Sequence, residues 1–270
     1  EMGLTSSCSS FGFEIGKLSC SSTCNYGFDQ CLNVLEGCGV NHIDNGDGTC
    51  TAIISADFDD GVLSVSRRPE VGFDELRSSK EADEFFDERI SGHSGFGQEG
   101  TSSVYYIPLL GVNNSISRAI LPFNTNFIPD NSTLLSASLF INTSYIGWLE
   151  PQDYMNNFVT LFGVNIENPS MVSKRDFGKF GDVELVGEQN RFIIPRNFYG
   201  ISNIPVEFLL NRAGVSLVNK TGRTIFGLKT GLDVTGDINV GYGDKVSLGL
   251  GFFSAESPHP PKLKVNYLKP

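Results

Sequence analysis

The chain has 270 residues, and its 20 Lys and Arg against 31 Asp and Glu leave a formal charge of −11. An acidic surface of this size argues against nucleic acid as a partner, because it repels phosphate backbones. No stretch of about 18 apolar residues offers a membrane-spanning helix. The length accommodates one large β domain, or one with a small appendage.

Residues 1–50 form a cysteine-rich region. It holds Cys8, Cys20, Cys24, Cys31, Cys38 and Cys50, and no cysteine follows. An even number gathered in a loop-rich segment points to a disulfide framework and an oxidising, extracellular compartment. Zinc is the rival ligand for such a cluster, but there is no C-x-x-C pair and the one nearby histidine is His42. Spacing leaves the pairing open. Disulfides can replace the hydrophobic core that so short a piece cannot build. Within this region Asp29 to Leu35 predicts a short helix ended by Gly37. Asn45-Gly46-Asp47-Gly48 predicts a tight hairpin turn, since Asn-Gly and Asp-Gly supply the positive φ such turns demand.

Residues 51–270 are expected to form the main domain. Strands are predicted at 50–56 and 61–66, after which the composition turns charged and aromatic. Ser78 followed by Glu81 makes a capping box, and Ala82, Phe85, Phe86 and Ile90 fall near one helical face before Gly92. One inserted helix is therefore expected near 78–91. Short strands follow at 104–110, 117–123, 134–141, 157–164, 183–186, 191–194, 206–210, 224–228, 245–253 and 262–267, separated by Gly, Pro or Asn. The clearest pattern has Leu135, Ala137, Leu139 and Ile141 alternating with Ser136, Ser138 and Asn142. That period of two puts one face into a core. The turn before it, Pro129-Asp130-Asn131-Ser132, combines a fixed φ with residues that tolerate tight bends. The expected fold is all-β: an antiparallel jelly-roll-like β-sandwich with a small disulfide-rich N-terminal region and one inserted short helix.

Several segments carry a family likeness. They are Arg118-Ala119-Ile120-Leu121 with Phe123, Ile128-Pro129, Ser136-Ala137-Ser138-Leu139, Ile204 to Leu210, Thr224 to Leu228, Phe252 to Ser257 and Pro260 to Tyr267. Together they resemble the DNRLRE-type β-sandwich modules of secreted bacterial and archaeal proteins, relatives of a family of carbohydrate-binding modules. The likeness covers roughly Thr101 to Pro270. It implies a jelly roll and an extracellular setting, and it transfers no ligand site.

Candidate sites are few. Asn113, Asn131, Asn142 and Asn219 head N-x-Ser/Thr sequons, so a host that glycosylates its exterior proteins could modify them. Asp57, Asp59 and Asp60 form a weak calcium candidate, and no other cofactor is indicated. Asn45, Asp47 and Thr49 resemble the middle of a calcium loop but lack its first carboxylate and its bidentate Glu. Gly95 to Gly100 matches G-x-G-x-x-G without the required preceding strand and following helix. His93-Ser94 lacks the glycine of a nucleophile elbow. Glu150 with Asp153, or Glu184 with Glu188, could be nominated as a glycosidase pair, but many acids could. Trp148, with Tyr145 and Tyr154, is the candidate platform for a sugar ring.

The function expected is that of a non-catalytic extracellular structural protein, a subunit of a microbial surface filament or coat whose partners are identical copies. An N-terminal segment laid across a neighbour's sandwich edge would satisfy exposed strand hydrogen bonds. The alternative is a carbohydrate-binding module or adhesin whose partner is polysaccharide.

Overall fold

A computed structural model describes residues 42–57, 61–67, 73–86, 101–106, 114–149, 156–166, 172–195, 199–201, 204–236, 246–253 and 259–269. It also describes 15–16, 19–20, 26–27, 31–32, 38, 255 and 257. Near the N-terminus, β1 (Ile15–Gly16) pairs with β4 (Cys31–Leu32), and β2 (Ser19–Cys20) with β3 (Tyr26–Gly27). Cys31–Leu32 is thus strand rather than part of a helix over 29–35, because its backbone is used by the ladder to Ile15–Gly16.

The remaining strands are β5 (Ile43–Asp44), β6 (Thr49–Ser55), β7 (Gly61–Arg67), β8 (Glu84–Phe86), β9 (Thr101–Tyr106), β10 (Asn114–Asn124), β11 (Thr133–Leu149) and β12 (Phe158–Val164). They continue with β13 (Phe180–Glu184), β14 (Phe192–Ile193), β15 (Tyr199–Ile201), β16 (Pro205–Leu209), β17 (Arg223–Thr230), β18 (Val246–Phe252) and β19 (Lys262–Leu268). All pairings are antiparallel.

They make two sheets that share β11. In the first, the order is β16-β11-β19-β6-β5, using the N-terminal half of β11 up to Asn142. In the second, β10 has β7 on one side and β9 and β17 end to end on the other. β12 extends from β17 and carries β13 and β14, while β18 links β9 to the C-terminal half of β11. A register shift between Thr143 and Tyr145 marks where β11 passes from one sheet to the other, as a bulge bends a strand at a corner.

Alternation builds the core of the first sheet. Ala52 and Ile54, Leu263 and Val265 with Tyr267, Ala137, Leu139 and Ile141, and Val206 with Phe208 all point inward and are buried. Leu135 departs from the expected pattern and is 48% exposed. The register shift between Leu134 and Ser136 gives β11 an extra residue there, which reverses the pleat. The predicted hairpin is present: Gly46 and Gly48 take φ of 80° and 87° between β5 and β6. The Pro129–Ser132 turn is present too, closed by the Ser132 amide on the Pro129 carbonyl at 3.0 Å.

In the second sheet β10, β12 and β17 are buried almost throughout, so both of their faces are covered. One glycine on each of β12 and β17 lies opposite an aromatic of its neighbour, Phe162 against Gly227 and Gly163 against Phe226. A Cβ at Gly227 would stand 2.1 Å from Cε1 of Phe180, so the ring of Phe180 lies directly on this backbone. Covering this outer face are α1 (Phe73–Arg77), a 3-10 turn at Lys174–Lys179 and α3 (Gly231–Thr235). A further helix, α2 (Arg212–Leu217), starts at Asn211, whose side chain accepts from the Gly214 amide at 3.0 Å.

The inserted short helix is therefore α1, five residues long at Phe73–Arg77, rather than a helix near 78–91. Ser78, expected as its N-cap, follows its last turn, with the Ser78 amide bonded to the Asp74 carbonyl at 3.0 Å. Glu84–Phe86 pairs with Val62–Ser64, and the Ala82 amide reaches the Lys174 carbonyl at 2.7 Å. Strand pairing overrode a helical pattern of only three turns.

Candidate functional site

Two places on the sandwich gather unusual side chains. The first is the outer face of the first sheet. Register aligns Ser55, Lys262, Phe140 and Glu207 in one row, and Ile53, Lys264, Ser138 and Leu209 in the next. A third row is a polar ladder. Asn45 donates to Thr51 at 3.1 Å, Thr51 to Asn266 at 2.7 Å, and Asn266 to Ser136 at 2.9 Å. Ile43, Asn45, Thr51, Ile53, Phe140, Lys262 and Lys264 enclose a hollow of about 380 Å³. Ile43 and Ile53 are each 52% exposed, and Leu209 45%. Apolar floor between two ammonium groups is an uncommon surface on a chain so acidic.

The second place lies over the outer face of the second sheet. Arg118 of β10 is buried and forms a bidentate pair with Asp233, Nε to Oδ2 at 2.7 Å and Nη2 to Oδ1 at 2.8 Å. It also donates to the carbonyls of Phe177 at 2.7 Å and Arg77 at 2.9 Å, and its guanidinium stacks 4.1 Å over the Phe177 ring. One side chain thus ties α1, the 3-10 turn and α3 to the sheet. Arg77 completes the lattice by donating to the carbonyls of Asp233 at 2.7 Å and Val234 at 2.8 Å, the end of α3.

Beside this lattice, Arg77, Arg118, Phe162, Asp182, Glu184, Lys229, Asp233 and Val234 line a cleft of about 290 Å³. Glu184 is held by Arg191 at 2.6 Å and accepts a hydrogen bond from Thr160. That carboxylate in turn raises the Arg191 pKa above its ordinary value. Lys229 differs from these groups. Its Nζ sits 4.4 Å from the Phe162 ring centre and 5.5 Å from that of Phe180. Burial, with the nearby Arg118 charge adding to it, lowers its pKa to about 8.

Of the sequence candidates, Cys38 and Cys50 are bonded to each other. This link pins the N-terminal region to β6, where His42 Nδ1 and the Tyr267 hydroxyl share a 2.5 Å hydrogen bond beneath it. The side chains of Cys20 and Cys31, and all of Cys8 and Cys24, lie outside the described residues. Asn131 and Asn219 occupy exposed turns, Asn142 is partly buried on β11 opposite Pro205, and Asn113 is outside the described residues. Asp57 is 3.0 Å from Arg223, while Asp59 and Asp60 are not described. Among the described residues no group of three acids, histidines or cysteines is placed to hold a metal ion. The Asp47 carboxylate is used within its own turn, accepting from the Thr49 amide at 3.0 Å and hydroxyl at 2.5 Å, bonds that lower its pKa.

Tyr145 and Trp148 stand on β11 opposite Gly251 and Leu248. Their side chains lie outside the described residues, as do all of Tyr154, Glu150, Asp153, His93, Ser94 and the glycine motif at 95–100. Sequence reasoning missed Arg118, Asp233 and Lys229. The available signal was parity: Arg118 shares a strand face with Ile116 and Ile120, so a charge there has to be buried and matched.

The architecture defines the chain as an antiparallel β-sandwich with a disulfide-pinned N-terminal region. No protein-family model matches it, and no curated protein matches it in sequence.

Proposed function

We propose that the chain is a non-catalytic structural module of an extracellular assembly, joining to further copies of itself through the outer face of its first sheet. The hollow around Phe140 carries this reading. Exposed Ile43 and Ile53 favour burial against a partner, and Lys262 with Lys264 favour an acidic one. A chain of charge −11 offers acidic surface on every copy. The edge beside the hollow supports the same mode. β5 covers β6 only at Cys50 and Thr51, and among the described residues no strand pairs with the outer edge of Ala52–Ser55. Cys38 is bonded to Cys50 beside that edge, with 5.8 Å between their Cα atoms.

Supporting a non-catalytic role, Asp233, Glu184, Asp57 and Asp44 each lie against a cation: Arg118, Arg191, Arg223 and Lys269. An oxidising exterior is supported by the Cys38–Cys50 bond. Analytical ultracentrifugation and negative-stain microscopy over a range of concentrations test the proposal. Wild type is expected to form oligomers or filaments, and Phe140→Asp and Lys264→Glu each to weaken association at least tenfold, as loss of a central contact does. A monodisperse wild-type monomer at all concentrations sinks it.

The same hollow favours a second reading, an anionic polysaccharide whose pyranose faces stack on Phe140 while its carboxylates meet Lys262 and Lys264. Retardation in gels containing uronic-acid or neutral polysaccharides separates the two. Retardation abolished by Phe140→Ala in a protein that stays monomeric would establish the sugar instead.

A further inference from the structure

Lys229 has surroundings that nothing in the self-association reading uses. Its carbon stem leaves β17 beside Gly227, the position over which Phe180 lies. Its Nζ then rests against Phe162 and Phe180 at the wall of the 290 Å³ cleft. Among the described residues no oxygen accepts a hydrogen bond from that nitrogen. The acids that could compensate it are committed elsewhere or exposed. Asp233 of α3 is paired with Arg118, Glu184 of β13 with Arg191, and Asp182 of β13 faces solvent. On the other walls, Arg77 of α1 and Arg118 of β10 add positive charge. The two rings favour an ammonium there, but burial, two nearby guanidiniums and the want of a hydrogen-bond acceptor outweigh them and favour the neutral amine.

We infer that Lys229 is a carbonyl-reactive amine, its Nζ over the Phe162 ring forming an imine with small uncharged aldehydes, the open-chain forms of reducing sugars among them. The uncharged nitrogen adds its lone pair to the aldehyde carbon, and the carbonyl electron pair moves to oxygen, which takes a proton. The resulting carbinolamine loses water to give the imine, so one amine and one aldehyde yield one imine and one water. The cleft suits such a ligand by size and lining: it lies at the small end of ligand pockets, and the exposed Asp182 can accept hydrogen bonds from sugar hydroxyls.

At pH 8 about half of an amine with the lowered value is unprotonated, against about 0.4% of an ordinary lysine. The lower basicity offsets part of this advantage, leaving an expected rate excess of roughly tenfold. The test uses glyceraldehyde as the probe, with the imine trapped by cyanoborohydride and each lysine followed by peptide mass spectrometry from pH 6 to 10. Lys229 is expected to be labelled about tenfold faster than exposed Lys80 and Lys262 at pH 8. Its rate should level off above that pH while theirs still climb, and Lys229→Arg should abolish the fast site alone. Asp182→Asn, which removes a charge favouring the ammonium, should shift the Lys229 profile to lower pH. Labelling of Lys229 no faster than Lys80, or a profile rising in parallel with it, overturns the inference. Neither result depends on the state of association.

Discussion

At the scale of single residues, Arg118 concentrates the most interactions. It is a buried charge whose cost is met by one carboxylate, two carbonyls and two aromatic rings. Removing either member of its pair leaves the other buried and unmatched, which costs about 3–5 kcal/mol. Arg118→Met and Asp233→Asn are each expected to lower unfolding stability by that much in urea. The double variant Arg118→Met/Asp233→Leu should recover most of the loss, since a matched apolar pair is close to neutral. Equal losses in the single and double variants would show that the carbonyl contacts, not the ion pair, dominate. His42 gives a separate handle on pH. Burial lowers its pKa, so the folded protein resists the proton that the unfolded chain accepts. Stability is full above the unfolded value near 6.5 and is lost as pH falls below it towards the folded value. The urea midpoint of wild type should therefore drop relative to that of His42→Gln between pH 7 and 5.

At the scale of elements, the strands were legible because period-two alternation is a property of the residues themselves. Val206 and Phe208, or Leu263, Val265 and Tyr267, announce a buried face without reference to a neighbour. The hairpin was legible for a similar reason, since Gly46 and Gly48 write their φ into the sequence. The short helices were not. α1 and α3 have five residues and α2 has six, too few to show a repeating face. Their existence depends on caps and on distant partners such as Arg77, whose guanidinium holds the end of α3. The polar cleft was hidden likewise, because Arg118, Lys229 and Asp233 meet only after β10, β17 and α3 are assembled. The outer hollow was half visible: Phe140 and the two lysines lie on predicted strands, but only register shows them adjacent. Gly227 tests how tightly the covering layer sits on β17. Gly227→Ala places a methyl in the Phe180 ring, and the expected loss is about 1–3 kcal/mol with lowered order in the Lys174–Lys179 turn. Hydrogen exchange of that turn together with urea unfolding checks both, and an unperturbed turn would mean the ring has room to slide.

At the scale of the whole molecule, the two sheets are not independent layers pressed together. β11 belongs to both, with Leu139 in the core of the first and Ile146 in that of the second. Unfolding is therefore expected to be a single transition. Far-ultraviolet dichroism and the fluorescence of Trp148 should coincide, and Leu139→Ala should shift both by the same amount, about 2–5 kcal/mol. Separate transitions would mean that the bulge at Thr143 acts as a break rather than a corner.

A continuous strand of this kind also decides how the molecule bears load. Tension applied along one layer reaches the other through covalent backbone, and does not rely on side chains gripping across an interface. At β11, the two layers can be drawn apart only by stripping that strand from one of its ladders.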